Sequence, residues 1–107
     1  MSDTTDRFVS PCPLPTPRER ELLVILMEEC AEVQQRAAKL IRFGRDEVQP
    51  GQPLSNAERL ADESGDMLAL LDACVAAGLV PLSRVDASCQ GKVAKLARFL
   101  QTEGGDQ

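Results

Sequence analysis

The sequence predicts an all-α protein, a helical bundle of two long antiparallel helices and a third helix. Aromatic residues make up only 3% of the 107 residues, so leucine, valine, isoleucine and alanine must form the core. Two stretches carry apolar residues at helical spacing after strong helix-start signals, and no stretch alternates as a strand does. Because so small a chain with few aromatics buries little apolar surface alone, we expect oligomerisation to complete the bundle.

The first helix is predicted to begin where a proline-rich stretch ends. Thr16 suits the N-cap position, Pro17 the first helical position, and Glu19 the partner that closes a capping box. The periodic apolar pattern then continues to Phe43, and Gly44 follows it. We therefore expect one long helix that ends at Gly44.

The second helix is predicted to follow a long connection. Residues 44–54 contain two glycines and two prolines, which break regular structure and leave either a functional loop or a disordered connector. Ser55 and Glu58 repeat the capping-box signal. The helix should extend to about Ala77, with Gly78 as its left-handed terminating residue.

Pro81 marks the predicted start of the third helix. Gly91 weakens the centre of this helix, because glycine lowers helix stability relative to alanine. An imperfect apolar stripe runs along it, formed by Leu82, Val85, Val93, Leu96 and Leu100.

The chain fits a single domain. Residues 1–15 include three prolines and are expected to form an extended or mobile N-terminal arm. Residues 16–102 should form one all-α domain, and residues 103–107 should be a frayed tail. The longest apolar run is far shorter than the roughly 20 residues that span a bilayer, so we expect no membrane partner.

Composition excludes several chemistries. The formal net charge of -5 opposes binding to nucleic acid, and a polyanionic substrate would need cations as mediators. Histidine is absent, so neither a histidine base nor a histidine metal ligand is available. Any metal must be held mainly by oxygen, which is the preference of Mg²⁺ and Mn²⁺.

The four cysteines do not form a disulfide pattern. Cys12, Cys30, Cys74 and Cys89 show no Cys-x-x-Cys spacing, and the sequence begins without a signal-like segment. We interpret them as reduced thiols of a cytoplasmic protein. A zinc cluster is a weaker alternative, since its thiolates would have to converge from distant positions.

Acidic residues interrupt the apolar stripes of the first two helices. Residues three or four apart share a helical face, so Glu29 and Glu32 point the same way, as do Glu63 and Asp66. Carboxylates on a core-facing stripe cost free energy unless a cation or another partner compensates. The apolar residues on the same rows are Leu22, Leu26, Val33, Ala37 and Leu40 in the first helix, and Leu60, Met67, Leu70 and Cys74 in the second.

Two interpretations of these acids remain open from periodicity alone. They could lie on two exposed acidic helices, or they could converge on one site that holds a cation. In the second case the carboxylates would repel one another without the ion. Mg²⁺ prefers oxygen ligands and usually keeps water or substrate phosphate in its remaining positions.

The acids occur in two ordered motifs, Glu28-Glu29-x-x-Glu32 and then Glu63-x-x-Asp66. The pair resembles the motifs of the MazG-like all-α nucleotide pyrophosphohydrolases over roughly residues 21–100. The resemblance implies Mg²⁺-dependent hydrolysis of a nucleoside triphosphate to a monophosphate and pyrophosphate, with Mn²⁺ as a possible substitute.

The resemblance also assigns roles. Glu29, Glu32, Glu63 and Asp66 match the metal ligands of the family. Glu28 matches an additional acidic position that orients or deprotonates water, which makes Glu28 and Glu29 the candidate catalytic residues. Related all-α enzymes act on phosphoribosyl-ATP, so that substrate is an alternative.

Lys92 and Lys95 resemble late lysines that contact substrate phosphates in the family, although a solvated basic face is an equal interpretation. Leu96 stands where the family often has asparagine, a departure that affects contacts to the sugar or phosphate. We expect a homodimer or homotetramer. From a different functional class, the chain could be a non-catalytic helical interaction module stabilised by metal.

Overall fold

The computed structural model describes residues 12–100, which form three helices. Helix α1 spans Pro17–Phe43, helix α2 spans Asn56–Ala76 and helix α3 spans Leu82–Phe99. These residues contain no regular strand, so the predicted all-α class is confirmed. Most of the expected N-terminal arm, residues 1–11, and the expected tail at residues 103–107 lie outside the described part of the chain.

Both long helices begin at the capping boxes that the sequence predicts. The Thr16 backbone N–H donates to Glu19 Oε1 at 2.9 Å, and the Glu19 N–H donates to Thr16 Oγ1 at 3.2 Å. Ser55 and Glu58 form the same reciprocal pair at 2.9 and 3.2 Å. Each box satisfies two backbone donors and therefore fixes where its helix starts.

Helix α2 ends in a Schellman motif. The Leu79 N–H donates to the Cys74 carbonyl at 3.0 Å, and the Gly78 N–H donates to the Val75 carbonyl at 3.0 Å. Gly78 adopts φ +80°, a left-handed conformation that is easy only for glycine. The chain turns here towards Pro81, which precedes α3 as predicted.

The main packing contact joins α1 to α2, and the helices fit a bundle. All nine apolar residues predicted to lie on the two facing stripes are half-buried or buried, and Glu29 and Glu63 lie half-buried among them. The interface is thin, because Asn56 and Cys74 are the only fully buried side chains in residues 12–100.

Helix α3 makes only marginal contact with the hairpin of α1 and α2. Leu82, Val93, Leu96 and Leu100 are 54%, 65%, 45% and 60% exposed, so most of its apolar stripe is not covered within residues 12–100. No helix within residues 12–100 is long and apolar enough to cross a bilayer.

The connection between α1 and α2 is ordered by bonds to the start of α2. The Asn56 side-chain Nδ2 donates to the Gly44 carbonyl at 2.9 Å and to Glu47 Oε1 at 3.0 Å. Arg59 Nη1 donates to Gln49 Oε1 at 2.8 Å. Of the two interpretations of this segment, the disordered connector is therefore wrong.

Replacing Asn56 by Ala should lower the free energy of unfolding by about 1–3 kcal/mol, because the Gly44 carbonyl and Glu47 lose a buried donor. Chemical denaturation of both proteins measures the change. Replacing the exposed Gln52 by Ala is the control and should change stability by less than about 0.5 kcal/mol. Equal stability of the two variants would contradict the role assigned to Asn56.

Candidate metal centre

Three predicted ligands converge between α1 and α2. Carboxylate oxygens of Glu29, Glu32 and Glu63 all lie within 4.8 Å of one another. Glu29 and Glu63 are half-buried, whereas Glu32 is exposed. The two helices therefore bring together acids that are 31 positions apart in sequence, from Glu32 to Glu63.

Asp66, the fourth predicted ligand, stands at the edge of this cluster. Its side chain is exposed and does not belong to the group within 4.8 Å. It is nevertheless close enough for its negative charge to raise the pKa of both Glu29 and Glu63. The site consequently has three converging acids and one acid on its solvent side.

A shared hydrogen bond raises the pKa of Glu63. The main cause is the bond between its carboxyl group and that of Glu32, followed by desolvation and by the negative charges of Glu32, Glu29 and Asp66. Two carboxyl groups can share a hydrogen bond only when one of them carries a proton. The Glu63 carboxyl group therefore holds a proton more readily than a free carboxyl group does.

The pKa of Glu29 is raised without a contribution from a hydrogen bond. Desolvation raises its pKa most, and the negative charges of Glu32, Asp66 and Glu28 add to the effect. Its Oε2 atom is buried and has no hydrogen-bond partner. A buried carboxylate oxygen without a donor costs free energy, and a cation placed between the helices would remove that cost.

The donor set fits a hard divalent cation. Its members are all carboxylates, which suit Mg²⁺ or Mn²⁺. Among residues 12–100, no cysteine joins a group of closely placed metal ligands. Because Glu32 and Asp66 are exposed, the cluster has a solvent side from which a phosphate chain can approach.

Glu28, the predicted catalytic acid, lies beside the cluster on α1. It is exposed, and its charge contributes to the raised pKa of Glu29. It also borders a groove of about 460 Å³ on the same helix, lined by Pro17, Arg20, Glu21, Val24, Ile25 and Glu28. Glu28 is therefore near the three converging acids without belonging to them.

Lys92 and Lys95, the predicted phosphate contacts, lie on α3. They line a groove of about 450 Å³ together with Arg84, Ala87, Ser88 and Gly91. Within the described residues neither lysine forms an ion pair with an acid of the cluster. Because α3 barely touches the hairpin, the single chain does not bring these lysines to the acids, and their phosphate contact stays a prediction.

Sequence reasoning missed Arg36. This half-buried residue has a buried Nη1 atom without a hydrogen-bond partner. It follows Glu32 by four positions and Glu29 by seven, which places all three on one side of α1. That spacing is visible in the sequence, but spacing alone does not show that the Nη1 atom of Arg36 is buried without a partner.

The chain was compared with family models, with curated proteins and with solved structures, and none of them matches. The chemistry of the site therefore follows from its own geometry. Three carboxylates on two helices form a candidate cation site that is open to solvent on one side. A cation held there would have coordination positions left for an anionic ligand.

The metal-free protein should lose stability as pH rises. The pKa values of Glu29 and Glu63 lie above 4.5, so the folded state holds protons more tightly than the unfolded state does. The free energy of unfolding should therefore fall as pH rises from about 4.5 through the raised pKa values. Thermal unfolding in chelator between about pH 4 and pH 8 measures this slope.

Glu63→Gln removes one of the mutually repelling acids and should therefore make stability depend less on pH. Its melting temperature at neutral pH should be higher than that of wild type. Asp72→Asn, an exposed change on the same helix, is the control and should keep the wild-type slope. If Glu63→Gln also keeps the wild-type slope, the acids do not repel one another as described.

Proposed function

We propose that the protein is a Mg²⁺-dependent nucleoside triphosphate pyrophosphohydrolase of the MazG-like type. The observation that carries this proposal is the convergence of Glu29, Glu32 and Glu63 within 4.8 Å, with a buried Glu29 oxygen that has no partner. A helical hairpin has no structural need for such a cluster, since apolar side chains would pack there at lower cost. The ordered pair of acidic motifs supports the same reaction.

The acids divide the work of holding the ion. Glu29, Glu32 and Glu63 would hold it from the two facing helices, and Asp66 would add a ligand from the solvent side. Mg²⁺ supplies charge that neutralises the phosphates and makes water more acidic. The solvent side leaves room for the substrate phosphates, which an acidic chain of net charge -5 would otherwise repel.

Glu28 and Glu29 are the proposed catalytic residues. Water attacks the α-phosphorus, a new phosphorus–oxygen bond forms, and the bond from the α-phosphorus to the bridging oxygen breaks. Pyrophosphate leaves and the nucleoside monophosphate remains. Glu28, which lies outside the converging group, accepts the proton of the water, while Glu29 helps to orient it from the ligand set.

A homodimer or homotetramer belongs to this proposal. Only Asn56 and Cys74 are fully buried in residues 12–100, and the apolar stripe of α3 is exposed. Association of α3 with the hairpin of another subunit would cover that stripe. Lys92 and Lys95 lie on the same helix. Docking of α3 on another subunit would therefore also bring these lysines to that subunit's hairpin, as their proposed phosphate contact requires.

Replacing Glu32 or Asp66 by Ala should abolish pyrophosphate release, a loss of at least about 10²-fold, because each change removes an ion ligand. Assays with a panel of nucleoside triphosphates, with and without Mg²⁺, measure the release. Asp72→Asn is the control and should retain wild-type turnover. Circular dichroism checks that all variants are folded.

Undiminished turnover in both Ala variants would contradict the assigned site. Turnover of phosphoribosyl-ATP alone would favour that alternative substrate. If no member of the panel yields pyrophosphate while Mg²⁺ changes the oligomeric state, the chain is instead a metal-stabilised interaction module.

Replacing Leu96 by Asp should shift the protein to monomers, because a charge on the exposed apolar stripe of α3 opposes burial in an interface. Size-exclusion chromatography with light scattering measures the mass. Ala94→Asp adds the same charge on the opposite side of α3 and should leave the oligomer intact. A monomeric wild-type protein would contradict the proposed assembly.

A further inference from the structure

The Arg36 guanidinium group has one buried nitrogen atom that nothing in residues 12–100 satisfies. Its Nη1 atom is buried and has no hydrogen-bond partner, although the residue as a whole is half-buried. In residues 12–100 the guanidinium group also forms no ion pair with a carboxylate. Because arginine remains charged at any accessible pH, it cannot reduce this cost by losing its proton.

The position of Arg36 relates this group to the acidic cluster. Arg36 lies one helical turn beyond Glu32 and two turns beyond Glu29 on the same side of α1. With a rise of 1.5 Å per residue, its Cα is about 6 Å along the axis from that of Glu32. Arg36 thus lies on α1 between the cluster and the connecting loop.

The neighbouring acids do not serve as partners of Arg36. Glu32 is the nearest acid on the same side of α1, yet within residues 12–100 it forms no ion pair with Arg36. Its carboxylate instead lies in the cluster with Glu29 and Glu63. When a cation occupies the cluster, the same oxygens are engaged by the ion. A bound anion can therefore supply the acceptor that residues 12–100 do not provide.

We propose that Arg36 binds a phosphate group of the substrate, at a point one helical turn beyond the cation ligands. This inference rests on the proposed function and extends it by naming the residue that receives the pyrophosphate part of the triphosphate. The planar guanidinium group presents paired N–H donors that match phosphate oxygens. The phosphate chain then runs from the cation, held by Glu29 and Glu32, towards the loop side of α1.

A purely structural role of Arg36 would affect different measurable quantities from a phosphate-binding role. If its guanidinium group served only to neutralise the acidic cluster, its loss would change the affinity for Mg²⁺ alone and the stability of the fold. A phosphate-binding role instead affects the affinity for pyrophosphate and the KM for nucleoside triphosphate. The two roles are therefore separated by measuring Mg²⁺ and pyrophosphate binding independently.

The test uses the full chain and three variants: Arg36→Gln, Arg36→Lys and, as the control, Arg42→Gln. Arg42 lies in the last turn of the same helix, where its guanidinium carbon is 4.9 Å from the centre of the Phe43 ring. Calorimetry measures binding of Mg²⁺ alone and then of inorganic pyrophosphate in saturating Mg²⁺. Steady-state assays give kcat and KM for the nucleoside triphosphate that wild type hydrolyses best.

Arg36→Gln should weaken pyrophosphate binding by about tenfold or more, because a charge-assisted hydrogen bond is lost, and should raise KM in parallel. Mg²⁺ affinity should change by less than about threefold, since the ion ligands remain. Arg36→Lys keeps the positive charge but lacks the paired N–H donors of the guanidinium group. It should therefore recover part of the pyrophosphate affinity. Arg42→Gln should bind and turn over as wild type does.

Unchanged pyrophosphate affinity and KM in Arg36→Gln, with wild type active, would overturn this inference and leave the proposed function standing. An equal loss of Mg²⁺ affinity would also overturn it in favour of a structural role. If Arg36→Gln does not fold, Arg36→Lys provides the test. A folded Arg36→Lys protein that binds pyrophosphate as tightly as wild type would overturn the inference, since a lysine cannot reproduce the paired N–H donors of arginine. A wild-type protein that neither binds pyrophosphate nor hydrolyses any nucleotide overturns both proposals.

Discussion

The repulsion among three carboxyl groups held within 4.8 Å is the constraint on which the rest of the structure depends. Glu29 and Glu63 occupy half-buried positions on the facing stripes of α1 and α2, where apolar residues would pack without this repulsion, and Glu32 joins them from an exposed position. This repulsion helps to raise the pKa of Glu63, and Glu29 has a buried oxygen that no hydrogen bond satisfies. The hairpin therefore gives up stability at this point, which is a common feature of functional sites.

The rest of the hairpin fixes how these acids meet. The capping boxes at Thr16 and Ser55 set the first residue of each long helix. Asn56 then ties the start of α2 to the end of α1 through the Gly44 carbonyl and Glu47. Since both helix starts and the connection are fixed, the register that places Glu63 opposite Glu32 is fixed as well. The polar bonds of the loop thus position Glu63, which lies about two turns further along α2.

Much of the hairpin and its acidic site can be predicted from sequence because each depends on local rules. Capping signals predict where α1 and α2 begin, and helical periodicity predicts that Glu29 and Glu63 interrupt facing apolar stripes. The same periodicity places Arg36 beside Glu32, but nothing in the sequence shows that its Nη1 atom is buried without a partner. Burial of one atom depends on how two helices pack, which no local pattern specifies.

The position of α3 is not predictable in this way. Its helical stripe and its lysines follow from spacing, yet where they lie relative to the acids depends on how α3 docks. In the single chain α3 makes only marginal contact with the hairpin, so Lys92 and Lys95 remain away from Glu29 and its neighbours. Spacing within a helix predicts a face, whereas the partner of that face is a property of the tertiary or quaternary structure.

The central claim is that the converging acids exchange a proton for a divalent cation. The most direct measurement is calorimetric titration of the wild-type protein with Mg²⁺ in two buffers of different ionisation enthalpy, repeated between about pH 5 and pH 8. The account predicts saturable binding that strengthens as pH rises, with proton release that declines as Glu29 and Glu63 become ionised. Absence of saturable binding, or binding without proton release at the acidic end, would contradict it.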